Sequence, residues 1–149
     1  MKLMYFYWRC YLIFAIIPLY INIDNTMNKF FLQAGALLGA IGVALGAFGA
    51  HALKDKLTTS GRMETFETAV KYQFYHALAL VLVGILAKEI ISKNLTYSGY
   101  CFLGGTLIFS GALYLICFTG IKTFGAIAPI GGTLMIAGWL LLFWAVLKS

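Results

Sequence analysis

Four apolar runs of about twenty residues, each bounded by polar or charged residues, constrain this chain more than any other feature. They cover residues 30–50, 72–91, 99–118 and 124–147. A helix rises about 1.5 Å per residue, so some 20 residues cross the roughly 30 Å hydrocarbon core of a bilayer. Lipid offers no water to bond exposed peptide groups, so each run must cross as a helix. Charged residues make up only 11% of the 149, under half the share usual in soluble domains. That leaves too little polar surface for a soluble monomer. The fold expected is all-α: one integral membrane domain over 27–149, built as a four-helix antiparallel bundle. Connections should be short, except between the first and second spans, where a short amphipathic surface helix is expected. From Thr119 to Thr123 there is room only for a tight turn, which makes the last two helices neighbours.

The net charge of +6 comes from eleven Lys and Arg spread over loops and ends. No basic run or face forms, so nucleic acid is not an expected partner. Such a bias reflects topology and contact with anionic lipid. Counting from Met27, Lys29, Lys88, Lys93 and Lys148 fall on one side, and Lys54, Lys56, Arg62, Lys71 and Lys122 on the other. The denser set sits in the first loop, which is therefore expected to be cytoplasmic. Cys10, Cys101 and Cys117 make neither a C-x-x-C pair nor a zinc spacing. Cys117 lies inside a span, as a small packing residue.

Residues 1–26 read differently. They hold no glycine, are rich in Tyr, Phe and Ile, and are broken by Pro18. Lys2 and Arg9 precede an apolar run as in a signal peptide, yet no A-x-A site follows. Met27-Asn28-Lys29 then looks like the start of a small membrane protein. The expectation is that Met27 is the true initiator, and that 1–26 is an extension from a gene start placed too far upstream, or a loose appendage. N-terminal sequencing of the native protein settles this, and a mature chain containing Trp8 would refute it.

The stretch GALLGAIGVALGAFGAHAL, residues 35–53, raises the next question. Each interior glycine costs a soluble helix about 1 kcal/mol relative to alanine. Here Gly35, Gly39, Gly42, Gly46 and Gly49 recur at intervals of four, three, four and three, on one stripe. Lipid tails are as apolar as leucine, so close backbone approach is what holds helices together, and small residues permit it. Ala40, Ala44 and Ala47 stack on the opposite face, with Gln33 near one end and His51 at the other. Leu38, Ile41, Leu45 and Phe48 form a bulky flank. Packing is expected on both small faces, with lipid along the flank.

His51 and His76 end one span and open the next, so both rings are expected in one interfacial layer. Asp55 or Glu64 is the expected acidic neighbour. The segment between includes Phe66, Val70 and Phe74 on one side and a Glu67–Lys71 pair in the favourable i,i+4 order. This suggests a helix that starts near Ser60 and follows the surface before entering the membrane. Two imidazoles with nearby carboxylates have the chemistry of a metal site or proton relay. However, no H-x-x-x-H or H-x-x-E spacing fixes a pair, and Glu67 and Lys71 point away from His76. The plainer reading makes both rings interface anchors, with Tyr72 and Tyr75 in the aromatic belt. The candidate functional interface is His51, Asp55, Glu64, Tyr72 and His76. No metal site, catalytic residue or cofactor is expected.

Deeper polar groups are few. Thr106, Ser110 and Cys117 share a stripe near Tyr114, and Thr133 follows Pro129, Gly131 and Gly132. Pro129 removes a hydrogen bond to the Gly125 carbonyl and is expected to kink the fourth helix as a packing device. No Asp, Glu, Lys or Arg occupies the middle of a span, where coupled transporters and proton pumps usually need one. No phosphate-binding, dinucleotide, nucleophile-elbow or zinc-protease motif is present.

GAFGAHAL at 46–53, ETFETAVKYQFYHALAL at 64–80, GGTLIFSGALY at 104–114 and APIGGTLMIAGW at 128–139 together resemble one family. It is the widespread domain-of-unknown-function family of small four-helix bacterial inner-membrane proteins, with a short vertebrate transmembrane relative. The likeness runs from about Met27 to the C-terminus through all four spans. It implies a compact multi-pass protein of the bacterial inner membrane and supports Met27 as the start. It brings no assigned activity or catalytic residue.

Two classes of function follow. The first is a non-enzymatic structural or accessory membrane protein, whose partners are the lipid bilayer and either a second copy or another membrane protein. The second is a small transporter or ion-conducting oligomer with His51 and His76 at its mouth. The lack of buried charge favours the first.

Overall fold

The computed structural model describes residues 28–149; the expectation for 1–26 lies outside them. Four helices are long and apolar enough to cross a membrane. They are α1 (Asn28–Ala50), α3 (Met63–Leu86), α4 (Lys93–Thr119) and α5 (Ala128–Leu147). A six-residue helix α2 (Lys54–Thr59) joins the first two, and a 3-10 turn (Lys122–Ala126) precedes α5. No strand occurs among the described residues.

The glycine stripe of α1 lies on α3, antiparallel to it. A methyl placed on Gly35 would sit 2.7 Å from the Ala77 carbonyl oxygen, on Gly42 3.5 Å from Gln73 Nε2, and on Gly49 2.5 Å from Phe66 Cε1. As α1 advances, its contacts step back along α3, and backbones meet where side chains are missing. The same device joins α4 to α5, where Gly105 and Gly131 face one another. Phe31, Leu80, Val83, Leu95, Phe102 and Leu142 form a core to which all four spans contribute. Leu57 of α2, Phe66 and Cys117 close a smaller cluster at the other end.

Three expectations are corrected. The alanine face of α1 is not packed: Gln33, Ala40, Ala44 and Ala47 are exposed among the described residues. The bundle closes on the glycines, the smaller face, and leaves the alanines exposed. The surface helix is α2, ahead of Ser60, and residues from Met63 already belong to α3. The break falls at Gly61, whose φ of +66° suits glycine. Pro129 does not kink a helix, because it stands in the first turn of α5. There its missing N–H has no partner to lose and its fixed φ suits helix entry.

The α4–α5 turn rests on Gly120, at φ +81°, which caps α4 by donating its N–H to the Ile116 carbonyl, 2.9 Å. The Arg62 guanidinium stands over it, 3.0 Å from where a β-carbon would be. A cation at a helix C-terminus is favourable. Gly120→Ala should therefore destabilise the bundle by about 1–2 kcal/mol. Gly61→Ala, with open space around it, should lose about 1 kcal/mol from backbone strain alone. Detergent-denaturation midpoints of the two variants check this order.

Candidate functional site: a polar seam inside the bundle

Gln73 and His76 stand three residues apart on α3 and so share a face. Both are buried, at 3% and 5% exposure. Gln73 Nε2 donates to the Leu38 carbonyl of α1 at 2.8 Å. That carbonyl retains a lone pair beside its helical bond, and Gly42 leaves room for the amide to approach. On its other side Gln73 Oε1 accepts from the Tyr114 hydroxyl of α4, 2.9 Å. One amide thus ties three spans.

His76 joins a third pair of helices. Its Nδ1 lies 2.8 Å from the Tyr72 carbonyl, which can only accept, so the proton is on Nδ1. Nε2 then accepts from the Trp139 indole N–H of α5 at 3.3 Å. Both nitrogens are engaged and the ring is neutral. Trp139 packs edge-on against the ring and Phe102 lies tilted beside it, 5.0 Å between their centroids, and Tyr72 stacks over the imidazole at 6.1 Å. Lower on α4, the Ser98 hydroxyl donates to the Gly138 carbonyl, 2.8 Å. Cys117 Sγ lies 3.7 Å from the Arg62 carbonyl. Thr106 bonds within its own helix, to the Phe102 carbonyl. Apart from Thr106, these groups are interhelical pins.

The two histidines do not share a layer. Gly49 lies against Phe66, and His76 is ten residues beyond Phe66, about 15 Å along the helix. His51 follows Gly49 by two residues and is exposed in the turn after α1. The apolar run marks where α3 meets hydrocarbon, at Tyr72, whereas the helix begins at Met63. Counted from the helix start, His76 is deep. Asp55 and Glu64 are exposed, and neither bonds a histidine among the described residues. Nor do those residues hold a cluster of three or more His, Cys, Asp or Glu placed to bind a metal. Of the candidate interface, the structure joins only Tyr72 to His76. The Glu67–Lys71 pair forms as expected, 3.5 Å apart.

Gln73 is the residue that sequence reasoning missed, set as it is between aromatic residues that read as a membrane belt. Its signal is an amide three residues from an imidazole on an otherwise apolar face. A double-mutant cycle of Gln73→Leu and Tyr114→Phe should give a coupling of about 0.6–1.7 kcal/mol. A value near zero would remove this bond as a pin.

Four antiparallel spans tied by Gln73, His76 and Ser98 across the helix pairs define a small multi-pass helical membrane protein. The chain belongs to the family described as protein of unknown function DUF423, whose model matches residues 45–132. A UPF0382 membrane protein of Staphylococcus haemolyticus is 43% identical over 120 residues, which cover 80% of this chain and 97% of the relative. The UPF0382 membrane protein YwdK of Bacillus subtilis is 37% identical over 121 residues, 80% of this chain and 98% of its own. No solved structure matches.

Proposed function

We propose that this chain is a structural or accessory protein of the bacterial inner membrane, without enzymatic activity, which supports a partner protein or the bilayer itself. The observation that carries this reading is how the buried polar groups are used. Gln73, His76 and Ser98 each bond another helix or its side chains, as groups that fix a bundle do. Both His76 nitrogens are taken up in bonds to the Tyr72 carbonyl and the Trp139 indole. Partner contact is assigned to the opposite kind of residue, the exposed His51, Asp55 and Glu64 at the α1–α3 end, with Tyr72 at the belt. A second copy or another membrane protein is the partner this surface suits.

The test is ion flux in liposomes that contain the purified protein. Flux at the level of empty liposomes is expected, unchanged by His51→Gln or His76→Gln. Flux that either substitution abolishes would replace this reading with that of a small ion-conducting oligomer. Orientation is checked separately, by a reporter fused to the C-terminus. With the first loop in the cytoplasm, that end lies outside, and a cytoplasmic signal would contradict the assignment.

A further inference from the structure

One edge of α1 is left uncovered by the other described residues. Gln33, Ala40, Ala44 and Ala47 are exposed there, and Leu37, on the same line, is 63% exposed. From Gln33 through Leu37 to Ala47 these positions follow at intervals of four, three, four and three residues. That is the 3.5-residue repeat which keeps one edge of a helix turned toward a parallel neighbour. The glycine stripe on the opposite side of α1 has the same spacing, and there α3 fills it. Only 22% of the apolar stretch of α1 is buried, against 44% in α3, so α1 stands at the rim of the bundle. Gln33 is the residue that needs an explanation. It lies one turn inside Lys29, level with the contact of Leu32 on Gly84, and bonds no other described residue. A primary amide carries two N–H donors and a carbonyl, and lipid tails answer none of them.

We propose that this edge pairs with the same edge of a second copy of the chain, the two α1 helices running parallel with Gln33 against Gln33. A two-fold axis that keeps both copies in one orientation runs along the membrane normal. It therefore sets α1 parallel to α1, with each residue of the line opposite its own counterpart. That relation suits an amide, which is complementary to itself: the N–H of each copy donates to the carbonyl of the other. A single polar residue in such a line also fixes the register of the pair. Ala40, Ala44 and Ala47 let the backbones approach, as small residues do between helices in lipid. Lipid is the poorer occupant, because it leaves both amides unbonded. An unrelated protein would need the same repeat and an amide at the same depth, and a second copy has both by construction. The pairing goes beyond the accessory reading and does not rest on it, since its failure would leave the flux result untouched.

Cysteine cross-linking of the full chain in membranes of expressing cells tests this. With Cys10, Cys101 and Cys117 replaced by alanine, single cysteines are introduced as Ala40→Cys, Ala44→Cys or Val43→Cys. Val43 is 62% exposed but stands about a quarter-turn off the line. A disulfide needs α-carbons within about 7 Å, so linked dimers should form about tenfold faster at Ala40 and Ala44 than at Val43. A second measurement keeps the native cysteines: energy transfer between donor-labelled and acceptor-labelled copies in liposomes. Gln33→Leu changes only an exposed side chain and should weaken the dimer about tenfold, the scale of one hydrogen bond between helices in a membrane. Ala44→Phe sets a ring between the two helices and should abolish the dimer. Absence of energy transfer in the unaltered chain overturns the proposal, and so do cross-links as fast at Val43 as at Ala44. A dimer that either substitution leaves unchanged overturns it as well, since the amides or the helices would then not meet. Ala44→Cys linked only to a different polypeptide gives the edge to another partner and overturns it too.

Discussion

Gly131→Ala is expected to weaken the bundle by about 2–3 kcal/mol, toward the upper end of what overpacking costs. The added methyl would stand 2.5 Å from the Phe109 amide nitrogen and 2.7 Å from the Gly105 carbonyl oxygen. Both are backbone atoms of α4, so no rotamer relieves the clash and α5 must move away. That movement also breaks the reciprocal approach, in which Gly105 lies close to the Gly131 carbonyl. In lipid the loss is serious, because close contact between small residues is what holds the pair. Gly104 and Gly111 supply the control, since a methyl on either meets nothing within 4 Å. Alanine there removes only the helix penalty of glycine, about 1 kcal/mol, so those variants should be neutral or more stable. Unfolding in mixed micelles by a denaturing detergent measures all three. An equal loss at Gly104 and Gly131 would falsify the backbone-contact account.

Phe102→Ala should have the second large effect. The ring is fully buried and packs on Trp139 and His76 with centroids 5.0 and 5.6 Å away. In a water-soluble core such a truncation costs roughly 3–5 kcal/mol. Here the separated helices remain in lipid, so the water-transfer part drops out and about 2 kcal/mol of lost packing remains. The cycle with Gly138 is the sharper test. A methyl on Gly138 would lie 2.7 Å from the Phe102 ring, so Gly138→Ala alone should destabilise. In the Phe102→Ala background the same methyl enters the vacated space and should restore part of the loss. Additive effects would show that ring and glycine do not meet.

The spans, their antiparallel order and the glycine seam were all readable from residues. Each follows from a period or a length that physics fixes: twenty apolar residues for a crossing, a small residue every three or four for an interface. What could not be read was where the second long helix begins, at Met63. Residues 63–71 are polar, so hydropathy starts the second span at Tyr72, and His76 then looks close to His51. Helix continuity from Met63 sets them about ten residues apart. The alanine face of α1 failed for another reason: small residues permit contact without requiring it, and only the partner helices decide which small face closes. Pro129 was misplaced for want of the α5 boundary, since the same ring that breaks a helix in its middle begins one comfortably.

Two of the interhelical pins run from a side chain to a main-chain carbonyl: Gln73 to Leu38 and Ser98 to Gly138. An acceptor of that kind is supplied by every amino acid. Position 38 is therefore free to drift among apolar residues without loss of register, while the bond depends on the glutamine at 73 and on the glycine at 42 that admits it. The acceptor of that bond is thus inherited with the backbone, and only the donor depends on which side chain is present. Paired substitutions across α1 and α3 should be scarce among descendants of this chain, and a lineage that loses the glutamine can recover the same alignment by one change.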